Sequence, residues 1–178
     1  MPESLSTQCV ECPPNGLRSG AGTAGAHVGT GFDRRTHPTL VLDTNIVLDW
    51  LVFVDPDVAA VRAAIMTGRA RWIASPAMRD ELETVLARGT LLQRRPDVPG
   101  IRMIWQRWAD IVSPRSSAPA ADLRCTDADD QKFIDLALQV GAQDLVTRDH
   151  AVLRLARRAQ VRGLDILTGS AWARKYEG

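Results

Sequence analysis

The stretch TLVLDTN at residues 39–45 decides the fold of this chain. A short apolar run with β-branched members is typical of a buried parallel strand, and this run stops at the carboxylate of Asp43. Asp43 therefore lies at the carboxyl end of a strand. In an open α/β sheet, ligands bind at that edge, because the connections part there and leave a crevice. Other acids that reach the same edge are candidates for a common site.

The composition is that of a globular protein. The chain has 178 residues, of which 45% are hydrophobic and 24% charged, and this suits one domain with a short appendage. The formal net charge of +1 gives no strong overall field, so any binding of nucleic acid must depend on local charge. No apolar run reaches about eighteen residues, so no transmembrane helix is predicted. The cysteines Cys9, Cys12 and Cys125 have no disulfide spacing, which predicts a reducing compartment, the cytoplasm.

The first part of the chain differs from the rest. Residues 1–37 have neither helical nor strand periodicity and include a glycine-rich stretch, so we predict a disordered leader before a folded domain at 38–178. Cys9 and Cys12 form a CxxC pair, but the downstream histidines lie along the glycine linker, which is a weak pattern for zinc. The leader lacks the apolar segment of a signal peptide, so secretion is not expected. An alternative hypothesis is that translation starts later, at a non-Met codon such as that of Val28.

From Thr39 onward, strands and helices alternate, which predicts an α/β fold with a mainly parallel, five-stranded sheet. After the first strand, the predicted strands are residues 71–74, a short one from 111, 144–147 and 164–167. The predicted helices cover 46–53, 58–66, 76–87, 99–110, 126–141 and 150–159, with a last one from 170. Right-handed crossovers bring the carboxyl ends of parallel strands to one edge of the sheet.

The helix that follows Ser75 carries a second candidate acid. A serine cap and a proline in the first turn are typical of a helix start. A rotation of about 100° per residue places Glu81 at the edge of the buried face, whereas Asp80 and Glu83 point away. Glu81 either joins the acidic edge of the sheet or is a surface charge beside the core.

The segment TDADDQKFID, residues 126–135, opens another predicted helix. Acids in a first helical turn interact favourably with the helix dipole, so their presence alone does not indicate chemistry. The periodicity places Asp130 in the middle of the buried face, where a carboxylate is costly unless it is paired or bound to a metal. Asp127 and Asp129 lie nearer the helix start and serve either as caps or as groups that support Asp130.

Asp149 repeats the situation of Asp43, because it follows a predicted strand and precedes a helix, although it also suits a simple helix cap. Glu81 and Asp130 are predicted to reach the same edge. Four carboxylates repel one another, and Mg²⁺ or Mn²⁺ relieves the repulsion because these cations prefer oxygen ligands. The motifs contain no histidine or cysteine, which argues against zinc. Such a cation activates water and neutralises phosphate charge, so the pattern predicts phosphodiester hydrolysis.

An apolar stripe runs along the helix predicted at residues 99–110. Its members are spaced as one helical face and are Ile101, Ile104, Trp105, Trp108 and Val112. Two tryptophans with arginines beside them could form a stacking platform for RNA bases. We favour the interpretation that the stripe belongs to the core or to a dimer surface.

The motifs around these acids resemble those of the PIN-domain family, in particular its bacterial toxins of toxin–antitoxin pairs. The resemblance depends on four ordered motifs: LDTN at 42–45, SP at 75–76 leading to EL at 81–82, DADDQKF at 127–133, and LVTRD at 145–149. It covers roughly residues 38–176, nearly everything after the leader. It implies a Rossmann-like, three-layer α/β/α fold.

The resemblance also implies an activity, that of a Mg²⁺- or Mn²⁺-dependent endoribonuclease acting on single-stranded or structured RNA. The acidic cluster would consist of Asp43, Glu81, Asp130 and Asp149. Small polar residues orient the acids or contact the phosphate in such proteins, and the matching positions are Asn45 and Thr147. The same motifs contain further supporting candidates, which are Thr44, Asp127, Asp129 and Arg148. A toxin of this kind would form a homodimer and would have a small cognate antitoxin that blocks its groove.

Other interpretations compete with the nuclease. The chain could be a PIN-fold module that binds RNA or protein without catalysis, because retained acids do not prove turnover. A phosphotransfer domain of the receiver or haloacid-phosphatase type is less favoured, since Asn45 stands where the phosphatase motif has its second acid. A flap nuclease would need long helical insertions for DNA, and the chain is too short for them.

Overall fold

The computed structural model describes residues 37–115 and 121–177. In these two ranges, five strands form one sheet in the order β3-β2-β1-β4-β5, with every pairing parallel. The strands are β1 (Thr39–Leu42), β2 (Arg71–Ala74), β3 (Ala109–Ile111), β4 (Asp144–Val146) and β5 (Asp165–Leu167). The predicted three-layer α/β/α class is confirmed. The leader predicted at 1–37 lies, up to residue 36, outside the described residues and stays a prediction.

Helices fill each connection between consecutive strands. Between β1 and β2 the chain forms α1 (Thr44–Leu48), a π-helical turn (Asp49–Phe53), a 3-10 turn (Pro56–Val58) and α2 (Ala59–Met66). Between β2 and β3 it forms α3 (Pro76–Leu86), α4 (Gly89–Leu92) and α5 (Val98–Trp108). A 3-10 turn (Ala121–Leu123) and α6 (Gln131–Val140) precede β4, and α7 (His150–Leu153) and α8 (Ala156–Gln160) precede β5. The last helix is α9 (Gly169–Glu177). Among these described helices, none has the length and apolar character needed to cross a membrane.

The central strand β1 lies in the middle of the core. Leu40 and Val41 are fully buried, and Val41 pairs with Ile73 on one side and Leu145 on the other. A strand that is covered on both faces needs apolar side chains on both, which explains why its sequence is a continuous apolar run. Burying each such side chain contributes about 1.5–3 kcal/mol. This core fixes the position of the strand end that carries Asp43.

The strand order of the sheet reverses between β1 and β4. The chain continues from β1 to β2 on one side and from β4 to β5 on the other. Connections that leave in opposite directions open a crevice at the carboxyl ends of these two strands. Asp43 and Thr147 are the first residues beyond β1 and β4, and the Asp43 N–H donates to the carbonyl oxygen of Val146 at 3.0 Å. The candidate acids are therefore next to the crevice.

Two predicted helices differ from the structure in where they end or in being divided. The helix predicted at 99–110 ends at Trp108, because Ala109 already pairs with Trp72 in the sheet. The helix predicted at 150–159 is divided into α7 and α8. The chain tightens between them, since the N–H of Leu155 donates to the carbonyl oxygen of Val152, three residues back, at 2.9 Å. A local tightening of this kind leaves the apolar spacing almost unchanged, so the pattern did not reveal it.

The apolar stripe on α5 belongs to the core, as we favoured. Ile101 and Trp105 are buried, and the Trp105 ring lies edge-on to the Trp72 ring with a centroid distance of 4.7 Å. A stacking platform for bases that uses Trp105 is therefore wrong. Trp108 is half-buried, with the Arg107 guanidinium 5.1 Å from its ring centroid.

Candidate functional site

Asp43 is held at the carboxyl end of β1 by three hydrogen bonds. The Thr147 hydroxyl donates to its Oδ2 at 2.5 Å, and the Asn45 side-chain amide donates to the same oxygen at 2.9 Å. The Asn45 backbone N–H donates to Oδ1 at 3.3 Å. Burial raises the pKa of Asp43, while the hydrogen bonds from Thr147 and Asn45 act in the opposite direction. The carboxylate is thus preorganised by residues from two neighbouring strand ends.

Glu81 reaches the same edge from α3. The Thr44 hydroxyl donates to its Oε2 at 2.6 Å, and Thr44 directly follows Asp43 in the chain. The negative charge of Glu81 contributes to the raised pKa of Asp43, so the two carboxylates lie within electrostatic range. The Lys132 ammonium lies 3.3 Å from the same Oε2 atom. Glu81 is therefore paired with a cation that belongs to the chain itself.

Asp130 does not lie in the middle of a buried helix face, so that prediction is wrong. Helix α6 begins at Gln131, and Asp130 is the half-buried residue before its first turn. The helix starts late because Asp127 accepts the Asp129 N–H at 2.9 Å and closes a separate turn. The side chains of Asp127 and Asp129 are exposed. Asp130 nevertheless interacts with the acidic edge, because its pKa is raised to about 6. Burial is the largest cause of this shift, and the charges of Asp43 and Asp149 are the next largest.

Asp149 caps a helix and also contributes charge to the edge. Its Oδ1 accepts the backbone N–H groups of Ala151 at 2.6 Å and Val152 at 3.3 Å, in the first turn of α7. The capping role that the sequence left open is therefore present. The charge of Asp149 still reaches Asp130, whose pKa it raises. The preceding Arg148 forms an ion pair with Asp49, with 3.0 Å between Nη1 and Oδ1.

The four acids share one edge, but they do not form a finished metal site. In residues 37–115 and 121–177, no three Asp, Glu, His or Cys side chains are grouped so that they could hold a metal ion. Their chemistry fits a hard divalent cation, because all the donors are carboxylate oxygens. The Oδ1 atom of Asn45 is buried and has no hydrogen-bond partner among the described residues, which adds one more oxygen beside Asp43.

Three charged residues that matter in the structure were not among the predicted site residues. Asp49 and Asp144 are buried, and Lys132 contacts Glu81. A signal existed for each of the two buried acids, since Asp49 interrupts an apolar helical run and Asp144 opens an apolar strand. For Lys132 the only signal was its place in the third motif, because the contact with Glu81 joins distant segments.

The repulsion at this edge predicts a stabilising substitution. In EDTA at pH 7, Asp130→Asn should raise the melting temperature, because it removes a half-buried charge that faces Asp43 and Asp149. After discounting for solvent exposure we expect about 1 kcal/mol, or roughly 2–4 °C. The pKa of Asp130 is higher in the folded chain than its ordinary value of 3.8. The protonated side chain therefore stabilises the fold below pH 3.8, and this contribution is lost as the pH rises through about 6. The gain in the variant should therefore disappear near pH 4.

Thermal unfolding followed by circular dichroism at several pH values measures this difference. Asp80→Asn is the matched control, because Asp80 is an exposed acid on α3. An exposed substitution of this kind should change the stability by less than about 0.5 kcal/mol at any of these pH values. Equal effects of the two substitutions would contradict the electrostatic account of Asp130.

Comparison with known proteins gives a family. The family model described as "PIN domain" matches residues 39–151, which is more than half of the chain. No curated protein matches the sequence significantly. Among solved structures, the chain resembles a chain in the crystal structure of VapBC2 from Rickettsia felis, which was determined with a DNA fragment from the VapBC2 promoter. The identity is 14%, with 72% of this chain and 96% of that chain covered and a TM-score of 0.47.

Proposed function

We propose that this chain, which belongs to the PIN-domain family, is a metal-dependent endoribonuclease. Domains of this family are generally nucleases. The observation that carries the proposal is the convergence of Asp43, Glu81, Asp130 and Asp149 on one edge of the sheet, at the crevice between β1 and β4. Such a concentration of negative charge would repel RNA unless a cation were bound there.

The four acids would hold Mg²⁺ or Mn²⁺. When bound, the cation would supply Lewis-acid activation of water and would neutralise charge on the phosphate. The residues of the chain would fix the acids for this task. Thr147 and Asn45 orient Asp43, and Thr44 orients Glu81. Carboxylates that are already oriented lose little freedom during the reaction, which favours catalysis.

A second candidate function is a PIN-fold module that binds RNA or protein without catalysis. The observation that favours it is the Glu81 carboxylate, which is already in contact with Lys132 and Thr44. If Lys132 stayed there, its ammonium would replace part of the charge that a divalent cation provides. Metal dependence of cleavage separates the two candidates.

The biological setting that we propose comes from the sequence resemblance to toxins of toxin–antitoxin pairs. The protein would act on RNA as the toxin, and a small cognate antitoxin would block its groove. It would act as a homodimer in the cytoplasm. Co-purification with the product of an adjacent short gene would test the antitoxin, and sedimentation velocity would test the dimer.

The experiment for the nuclease itself is cleavage of a mixed single-stranded RNA by the purified full chain, with Mg²⁺, with Mn²⁺ and with EDTA. We expect cleavage with either metal and none in EDTA. Glu81→Gln should lower the rate by about 10²–10³-fold, because it removes one of the four carboxylates that would hold the cation.

Glu83→Gln is the matched control for that variant. Glu83 lies on the same helix two residues later, and it accepts two hydrogen bonds from Arg102 at 2.7 Å, away from the acidic edge. It should cleave like the wild type. No cleavage with any metal, together with RNA binding, would support the module that binds without catalysis.

A further inference from the structure

Asp49 is a buried acid outside the acidic cluster. It lies in the π-helical turn after α1, and its side chain is 4% exposed. Burial raises its pKa, and the charge of Arg148 acts in the opposite direction. A buried carboxylate is costly unless it is paired, and the ion pair with Arg148 supplies a partner for Asp49.

Arg148 differs from its partner, because its side chain is 55% exposed. It stands between Thr147, which donates to Asp43, and Asp149, which caps α7. Its position next to the acidic edge is therefore fixed by both neighbours in the chain. A guanidinium carries five N–H donors in a planar fork, and the contact of one nitrogen with Asp49 leaves donors for a second anion.

The backbone around Asp49 is held in an uncommon conformation. The residue after the π-helical turn, Val54, has φ 52° and ψ 45°, in the left-handed region that β-branched residues rarely adopt. Such a conformation is strained and persists because the surrounding structure holds it. The N–H of Asp55 closes the turn on the carbonyl oxygen of Asp49 at 2.8 Å. Turns of this type are frequent at functional sites, and Asp49 is the first residue of this one.

We propose that Asp49 is a positioning residue that holds Arg148 at the rim of the acidic edge, where the guanidinium binds a backbone phosphate of the RNA. The inference deepens the proposed function and rests on it. The acidic edge by itself repels a polyanion, and an oriented arginine beside it supplies a bidentate phosphate contact. A purely structural pair would only tie the π-helical turn to the loop before α7, and RNA binding would not depend on it.

The test is the binding of a fluorescein-labelled, mixed-sequence single-stranded RNA to the full chain in EDTA, measured by anisotropy at several salt concentrations. Arg148→Gln should weaken binding by about five- to tenfold and lower the salt slope by about 0.7, as expected for one lost phosphate contact. Arg71→Gln removes the same charge at the opposite edge of the sheet, from an exposed ion pair with Asp110. It should change the affinity by less than about twofold.

Asp49→Asn provides a second test, because the two explanations predict opposite changes in RNA affinity. The variant gains one unit of positive charge, so simple attraction to RNA would strengthen binding. Loss of positioning should instead weaken it by about three- to tenfold, and the double variant with Arg148→Gln should bind no more weakly than Arg148→Gln alone. Unchanged or tighter binding by Asp49→Asn, or equal effects of Arg148→Gln and Arg71→Gln, would overturn the proposal.

Arg148→Lys keeps the test decisive if Asp49→Asn does not fold. Lysine retains the charge but has no planar fork, so it cannot bridge Asp49 and a phosphate in the same geometry. Arg148→Lys should lose most of the wild-type affinity for RNA, while the salt dependence of its binding stays near that of the wild type. Wild-type affinity in Arg148→Lys would contradict an oriented fork.

Failure of this inference can be told apart from failure of the nuclease proposal, because binding in EDTA requires no cleavage. A chain that binds RNA with these differences but cleaves none would refute the nuclease alone. A chain that cleaves RNA, and whose Asp49 and Arg148 variants bind and cleave like the wild type, would refute this inference alone.

Discussion

Replacing Asp43 with asparagine should lower RNA cleavage by about 10²–10³-fold, the usual cost of removing one preorganised charged group from an active site. Asp43 is the innermost acid of the edge, and its Oδ2 already accepts hydrogen bonds from Thr147 and Asn45. An amide in its place has a single acceptor oxygen and no charge. It would weaken the attraction for a divalent cation without a large change of shape.

The chain should stay folded in this variant. Loss of a hydrogen bond costs about 1 kcal/mol, and the removal of a buried charge that faces Glu81 offsets this cost. Near-wild-type circular dichroism together with lost cleavage is therefore the expected result. Full activity of Asp43→Asn would refute the assignment of the site.

Two controls make that experiment specific. Asp57→Asn changes an exposed acid in the 3-10 turn before α2, and cleavage should be unaffected. Thr147→Val keeps the Asp43 carboxylate but removes the hydroxyl that orients it, so we expect an intermediate loss of about 10–100-fold. A loss in Thr147→Val as large as in Asp43→Asn would mean that orientation, rather than charge, dominates.

The parts of the fold that depend on local sequence could be predicted. The run before Asp43 is apolar on both faces and bounded by polar residues, so both the strand and its functional end were evident. The end of α6 at Gly141 was also predicted, and this glycine has the positive φ of 62° that suits a helix end.

The parts that depend on tertiary contacts could not be predicted. The hydrogen bond from Thr147 to Asp43 joins residues 104 positions apart, and the sequence resemblance gave only a general role for Thr147. The start of α6 was placed too early, because capping residues at 126 and 127 are as suitable locally as the real start. The turn closed by Asp127 precedes the real start at Gln131. Asp130 therefore lies just before the helix and not on its buried face.

The two ends of β4 perform different tasks. At the carboxyl end, Thr147 and Asp149 belong to the candidate site. At the amino end, Asp144 is fully buried and accepts hydrogen bonds from three side chains of α9. The donors and distances are Trp172 Nε1 at 3.2 Å, Lys175 Nζ at 2.6 Å and Tyr176 Oη at 2.8 Å. This network fastens the last helix to the sheet, far from the acids.

Replacing Lys175 with methionine should therefore destabilise the protein strongly. The variant leaves the buried Asp144 carboxylate without a cation, which costs about 3 kcal/mol, or roughly 6–12 °C in melting temperature. Burial acts to lower the pKa of Lys175, but the hydrogen bonds to Asp144 and Asp165 raise it above its ordinary value of 10.5. The contribution of Lys175 is present below that value and lost as the pH rises beyond it. The deficit of the variant should hence be constant between pH 6 and about 9.

Arg174→Met separates this effect from a general loss of charge on α9. Arg174 is the exposed neighbour of Lys175, and its replacement should cost less than about 0.5 kcal/mol. Equal melting temperatures for the two variants would contradict a buried ion pair at Asp144. Below its melting temperature, Lys175→Met should cleave RNA like the wild type, because the network and the acidic edge lie at opposite ends of the same strand. Lost cleavage in the folded variant would instead mean that the position of α9 affects the acids through β4.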